Sequence, residues 1–296
     1  MAGSLRIATL NCEGIKRSRD YINNFLSITS CDILCIQESW HLDDNIMIFN
    51  SIHPDYLYTA ISGIDSRKQF LVGRPKGGVG ILYKKTLSGR ITAIKSTNRR
   101  ISGIICHFTE YFSCLLLSVY LPCDNYCNTV NKEYSDCIDY IETLLNNLHC
   151  NAFVCCGDYN SSFERKNAQT ECLNNFITRN DLTPSWDNLV SKKDFTYSNL
   201  ALNQFSCIDH IITTRNIFNC IRENYVINEP CNPSTHNIVY LCISIDDFKH
   251  IVEGKRDEAR APNCIWSKAS VDHIEQYQLS FDDKLFSIDL NKRLAL

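Results

Sequence analysis

The chain has 296 residues, 44% of them hydrophobic, with a net charge of −3 and 17 cysteines. That length and apolar share support one large core plus a tail, while the mild acidity advertises neither a basic nucleic-acid face nor a disordered segment in the first 245 residues. No stretch approaches the ~18 apolar residues of a membrane span, and no charged leader precedes an apolar run, so a soluble, intracellular protein is expected.

Ile7 to Leu10 form a short apolar strand, and Tyr21, Ile22, Phe25 and Leu26 follow at helical spacing. A second strand, Ile33 to Ile36, completes a strand, helix, strand opening. Gly77-Gly78 then open a strand over Val79 to Tyr83, and further strands around Gly103 to Cys106 and Cys114 to Tyr120 give an antiparallel middle. From Ser135, a candidate N-cap, Ile138, Ile141, Leu144, Leu145 and Leu148 share one helical face. A buried strand over Ala152 to Cys156, a helix around Leu173, Phe176 and Ile177, and strands at Cys207 to Ile212 and Asn237 to Ile243 follow. This mixed order predicts sheets packed face to face with helices outside. After residue 246 the chain turns charged, and Glu253 to Arg260 read as a linker. The cysteines include no Cys-x-x-Cys pair, and those inside apolar strands (Cys35, Cys114, Cys155, Cys156, Cys207, Cys242) read as small hydrophobes in a reducing compartment. Basic groups recur in the loops, at Lys16-Arg17, Arg74 with Lys76, Arg99-Arg100, Arg165-Lys166 and Lys192-Lys193; singly, each reads as solvated surface.

The strands end in isolated polar residues, which places those groups at the rim of a sheet. Asn11 ends the first strand, with Glu13 two residues on and on the same side; Glu38 ends the second. A hard carboxylate there suits Mg²⁺, which prefers oxygen ligands. Gly157 allows a sharp exit from the next buried strand, and Asp158 and Asn160 face one side. Such a carboxylate can align or deprotonate a water, and such an amide can donate to a phosphate oxygen. Asp209 sits inside an apolar strand, where an unpaired charge is costly, and His236 is the candidate partner. His210, adjacent in the strand, points to the opposite face and reads as structural.

In order and spacing, Thr9-Leu10-Asn11, Ile36-Gln37-Glu38-Ser39, Gly77-Gly78-Val79-Gly80-Ile81-Leu82, Ser118-Val119-Tyr120-Leu121-Pro122, Gly157-Asp158-Tyr159-Asn160, Cys207-Ile208-Asp209-His210 and Ser234-Thr235-His236-Asn237-Ile238-Val239 resemble the endonuclease/exonuclease/phosphatase superfamily, and within it the apurinic-type endonuclease domain of LINE-like non-LTR retrotransposons. The resemblance covers roughly residues 5 to 245. It implies a four-layer α/β sandwich of the DNase I-like kind over residues 1–246. It also implies that 247–296 match the segment preceding a reverse transcriptase. The implied roles are Glu38 on a divalent metal (Mg²⁺, with Mn²⁺ an alternative) near Asn11 and Glu13; Asp158 on the attacking water; Asn160 and Tyr120 on the phosphate; and His236, oriented by Asp209, on the transition state. DNA is the implied substrate, a nick with a 3′-hydroxyl the implied product, and a nuclear monomer without an obligate protein partner the implied setting. Two departures stand out: Thr235 replaces the aspartate that the family carries before this histidine, and Cys123 replaces an asparagine. A decayed fragment that binds DNA without cutting, or another phosphodiesterase or phosphatase of the superfamily, are the alternatives.

Overall fold

The structure is a computed structural model that describes residues 3–66, 73–109, 112–124 and 128–246. The tail expected after residue 246 lies outside the described residues.

In chain order the strands are β1 (Ser4–Asn11), β2 (Ile33–Gln37), β3 (Tyr56–Ile61), β4 (Val79–Lys84), β5 (Ile91–Ile94), β6 (Ile101–Thr109), β7 (Phe112–Tyr120), β8 (Ala152–Asp158), β9 (Leu182–Pro184), β10 (Ser191–Lys192), β11 (Tyr197–Asn199), β12 (Gln204–Ser206), β13 (Asp209–Thr214), β14 (Ile221–Ile227) and β15 (Ile238–Ser244). The α-helices are α1 (Ile15–Thr29), α2 (Asn128–Asn147), α3 (Ala168–Arg179) and the single turn α4 (Arg215–Phe218). One mixed sheet runs β10-β14-β15-β1-β2-β4-β3 and a second runs β5-β6-β7-β8-β13-β9, with β11-β12 a separate hairpin.

Strand alternation divides the apolar residues among three cores. Ile7, Ile33, Cys35, Leu116, Val154 and Cys156 point between the sheets. Their sequence neighbours Ala8, Leu10, Leu34 and Ile36 point outward under Ile22, Phe25 and Leu26 of α1. Leu115, Leu117, Phe153 and Cys155 point the other way, under Tyr134, Ile138 and Ile141 of α2 and Leu173 and Phe176 of α3. The central strands are therefore covered on both faces, which is why they read as unbroken apolar runs. Each such side chain taken from water contributes roughly 1.5–3 kcal/mol before entropy is counted. The result is a four-layer α/β/β/α sandwich.

Ser135 does not cap a helix. α2 already begins at Asn128, because Tyr134 is fully buried and starts the apolar face that Cys137, Ile138 and Ile141 continue. The buried cysteines are free, and burial pushes the Cys155 thiol up to about 12. Among the described residues, no helix is long and apolar enough to cross a membrane.

Two parallel pairs fix where the strand ends meet. β1 and β2 run parallel with Asn11 opposite Gln37, and β7 and β8 run parallel with Tyr120 opposite Asp158. The antiparallel partners β13 and β15 begin where these strands finish: Asp209 is opposite Asp158, and Val239 is opposite Thr9. One rim thus collects four carboxyl ends and two amino ends from both sheets. Gly157 makes the β8 exit possible, since a Cβ there would stand 2.0 Å from the Val119 carbonyl oxygen.

Candidate active site

Asn11 bridges the two sheets. Its Nδ2 donates to Asp158 Oδ2 at 2.9 Å and to Glu38 Oε1 at 3.2 Å, tying the ends of β1, β2 and β8 together. Asn11 and Asp158 are buried, whereas Glu38 is half-buried. Across from them, His236 Nδ1 donates to Asp209 at 3.0 Å (Oδ2) and 3.2 Å (Oδ1). Candidate ligand atoms of Asp158, Asp209 and His236 all lie within 4.8 Å of one another. His236 Nδ1 is spent on Asp209, so Nε2 remains for other work.

The electrostatics follow from burying two aspartates beside one imidazole, with Glu13 and Glu38 half-buried nearby. Burial and the nearby Asp209 lift the Asp158 carboxyl to about 7, against the pull of His236 and the hydrogen bonds from Asn11 and Asn160. Burial opposes a charged His236, but Asp209 above all, with Asp158 and Glu13, raises it to about 9. At neutral pH the imidazole is therefore a cation held in an acidic cluster. Burial, then Glu38 and Asp158, also raises the Tyr120 phenol, which hydrogen-bonds Glu38 and stays neutral. Glu38 and Glu13 add to the burial that pushes the Cys12 thiol up to about 12.

Asn160 and Glu13 sit differently from the arrangement expected of them. The Asn160 amide nitrogen donates to the Leu121 carbonyl at 2.8 Å and faces Asp158 Oδ2 at 3.4 Å, while its backbone N–H donates to Asp158 Oδ1 at 2.8 Å. Its donors thus orient Asp158 and brace the β8 exit against Leu121. Glu13 turns to the loop before β15. It accepts from the Thr235 N–H at 2.9 Å, the Thr235 hydroxyl at 3.1 Å and the Ser234 hydroxyl at 3.5 Å. Where the sequence resemblance implies a carboxylate, Thr235 thus places a hydroxyl that bonds one.

Several contributors were not legible in the sequence. Ser234 donates to the Asn11 carbonyl at 2.6 Å and accepts from the His236 N–H at 3.1 Å, latching the histidine loop to β1. Thr196 accepts the Asp209 N–H at 3.0 Å and fixes the start of β13. Trp40 donates its indole N–H to Glu38 Oε2 at 2.8 Å; an indole two residues beyond a carboxylate in a turn was the available signal. The β11-β12 hairpin is strapped to the histidine loop by Ser198 N–H to Thr235 O at 3.0 Å and Asn237 N–H to Thr196 O at 2.7 Å. Its tip exposes Leu200, Leu202 and Phe205. Backbone strain concentrates here too: Glu13, Glu38, Trp40 and Asn160 all have left-handed φ near +45 to +51°. For ordinary residues this costs on the order of 1 kcal/mol or more and is held only where the surroundings dictate it. Of the loop cations, Arg99 pairs with Asp43 at 3.2 Å and Arg100 with Glu133 at 2.8 Å, so their charge is partly spent within the protein.

A rim of carboxylates with a buried aspartate-histidine pair is thus set across two face-to-face sheets. The chain belongs to the Endonuclease/Exonuclease/phosphatase family, whose profile matches residues 8–236. Solved structures share the fold at low identity. The AP endonuclease LMAP from Leishmania major aligns with a TM-score of 0.64 at 11% identity, over 82% of this chain and 88% of that one. The Xenopus laevis APE2 catalytic domain aligns at 0.63 and 17%, over 81% and 93%. The endonuclease domain of TRAS1, a telomere-specific non-LTR retrotransposon, aligns at 0.58 and 14%, over 81% and 98%. No curated protein sequence matches the chain.

Proposed function

We propose that this chain is a divalent-metal-dependent phosphodiesterase that nicks DNA and leaves a 3′-hydroxyl, derived from a non-LTR retrotransposon. The observation that carries the reading is the convergence of Asn11, Glu38, Asp158 and the Asp209–His236 pair at one rim, assembled from both sheets. The similarity of the fold to AP endonucleases and to the TRAS1 domain supports the substrate class and the origin.

The donor set suits a hard divalent cation. Glu38 is a half-buried carboxylate, the Asn11 side chain donates to it, and burial, with Glu38 itself adding to it, raises the neighbouring Cys12 and Tyr120. Glu38 with Asn11 would hold the ion, and the ion would supply charge neutralisation at the phosphate. The remaining chemistry belongs to the side chains. Asp158, as the carboxylate, aligns a water and takes its proton; Asn11 and Asn160 hold it in line. His236, protonated and oriented by Asp209, presents Nε2–H to the non-bridging oxygen that gains charge. Tyr120, neutral and hydrogen-bonded to Glu38, would turn its one hydroxyl proton from that carboxylate to the phosphate when substrate binds. The apolar hairpin tip, strapped to the loop of His236, lies against the DNA.

One observation favours a second reading, a fragment that binds DNA without cutting. Thr235 satisfies Glu13, so neither supplies the extra carboxylate that the family carries here. Nicking of supercoiled plasmid with Mg²⁺ or Mn²⁺ separates the two. Under the first reading the natural chain yields open circles whose ends a polymerase extends, and the Asp158→Ala, His236→Ala double variant does not. Retained DNA binding without any nick supports the second, and cleavage undiminished in the double variant refutes the assignment.

A further inference from the structure

The geometry points to Trp40 as a positioning residue for Glu38: its indole N–H restrains the outer carboxylate oxygen, so that Glu38 meets a cation with one fixed face. This rests on the metal-dependent reading above.

Three features of the structure support it. The indole N–H donates to Glu38 Oε2 at 2.8 Å while Asn11 Nδ2 donates to Oε1 at 3.2 Å, so each oxygen of the carboxylate has its own tether. The ring is held in place independently of Glu38. The Arg74 guanidinium carbon lies 3.9 Å from its centroid. Gly14 packs so closely that a Cβ there would stand 2.6 Å from the ring. Finally, Glu38 and Trp40 both take left-handed φ, +48 and +51°, while Ser39 and Trp40 donate their backbone N–H groups to Gly78 O at 3.1 Å and Gly77 O at 3.0 Å. A strained turn, fixed by the glycine pair, aims the indole back at the carboxylate two residues earlier. A two-point clamp of this kind removes the rotation that a free glutamate loses on binding a metal, and partners that orient metal ligands typically set affinity by 10- to 100-fold.

Mn²⁺ binding tests the clamp directly, followed by electron paramagnetic resonance of the free ion. Trp40→Phe keeps the ring between Gly14 and Arg74 but removes the donor. Its Kd is expected to rise roughly 10-fold, Trp40→His to recover part of the loss, and nicking by Trp40→Phe to return at saturating Mn²⁺. A Trp40→Phe Kd equal to that of the natural chain, with Glu38→Gln weakened, overturns the clamp and leaves the metal reading standing. A natural chain that binds no Mn²⁺ overturns both. Should Trp40→Phe fail to fold, the unmodified chain still answers: the Trp40 indole N–H resonance should move on addition of Mg²⁺ and in Glu38→Gln, and an unmoved resonance refutes the proposal.

Discussion

Thr235→Asp is the substitution in which family chemistry and the local structure make different demands. It installs the carboxylate that the sequence resemblance implies before this histidine, yet it sets that carboxylate against Glu13. At present the Thr235 hydroxyl lies 3.1 Å from Glu13 Oε1. Two unit charges about 4 Å apart repel by ~1 kcal/mol in water and ~4 kcal/mol at the effective dielectric of a protein surface. Thr235 is exposed and Glu13 half-buried, so a cost of about 1–2 kcal/mol is appropriate, and the lost hydrogen bond adds about 1 kcal/mol. For a domain of this size each kcal/mol is worth roughly 2–4 °C. In chelator, Thr235→Asp should therefore melt about 5–10 °C below the natural chain. A divalent cation between the two carboxylates reverses the sign, returning about 2.7 kcal/mol at a hundredfold excess over its Kd. Thermal melts with EDTA and with Mn²⁺, for both proteins, measure the two effects together. Equal melting in EDTA, with no metal-induced rise peculiar to Thr235→Asp, would refute the placement of residue 235 against Glu13.

Further outcomes follow from the same site. The nicking rate should rise with pH through about 7, as Asp158 ionises, and fall above about 9, as His236 loses its proton; a flat profile from pH 6 to 10 would exclude these roles. Asp158 has a raised folded-state pKa, so its stabilising effect is complete below about 4 and is lost as pH rises through about 7. Asp158→Asn should accordingly melt higher than the natural chain at pH 8, measured without metal, while abolishing nicking. His236 contributes stability that is complete below about 6.5 and lost through about 9, so in the natural chain the melting temperature should drop between about pH 6.5 and 9. Asp209→Asn leaves His236 without its anion and should reduce nicking by 10-fold or more with DNA affinity kept, as a gel shift would report. Gly157→Ala should not yield folded protein, because its Cβ has no space against the Val119 carbonyl; a normal circular dichroism melt would contradict this.

The parts of the fold legible in the sequence were those buried on both faces. β2, β8 and β15 are nearly continuous apolar runs, and β1 and β13 carry shorter ones, Ile7-Ala8 and Ile211-Ile212; the polar residues that face the site lie at the ends of β1 and β8, just after β2, at the start of β13 and just before β15. Edge and half-covered strands were harder to see: β14 reads Ile-Arg-Glu-Asn-Tyr-Val-Ile with exposed positions between buried ones, and β9 and β10 have only three and two residues. The start of α2 is not legible in the sequence because its first turns are polar and its first buried residue, Tyr134, lies one position before the N-cap candidate Ser135. At the site, isolated acids and amides were visible as interruptions of apolar strands. Which way each side chain turned was not, since that depends on contacts across more than 200 residues, as between Glu13 and Thr235. Trp40 was hidden for a related reason: an aromatic residue reads as core until its N–H is seen to have a partner.

The seam between the sheets sets when this molecule can act. Asn11 and Asp158 are 147 residues apart, and both sheets must be docked before the two side chains meet. Each half of the chain lacks part of the constellation, so a translation intermediate or a sheet formed alone holds no reactive centre. Under the proposed function, activity therefore requires the two sheets to be docked and reports that assembly as well as the chemistry of the side chains.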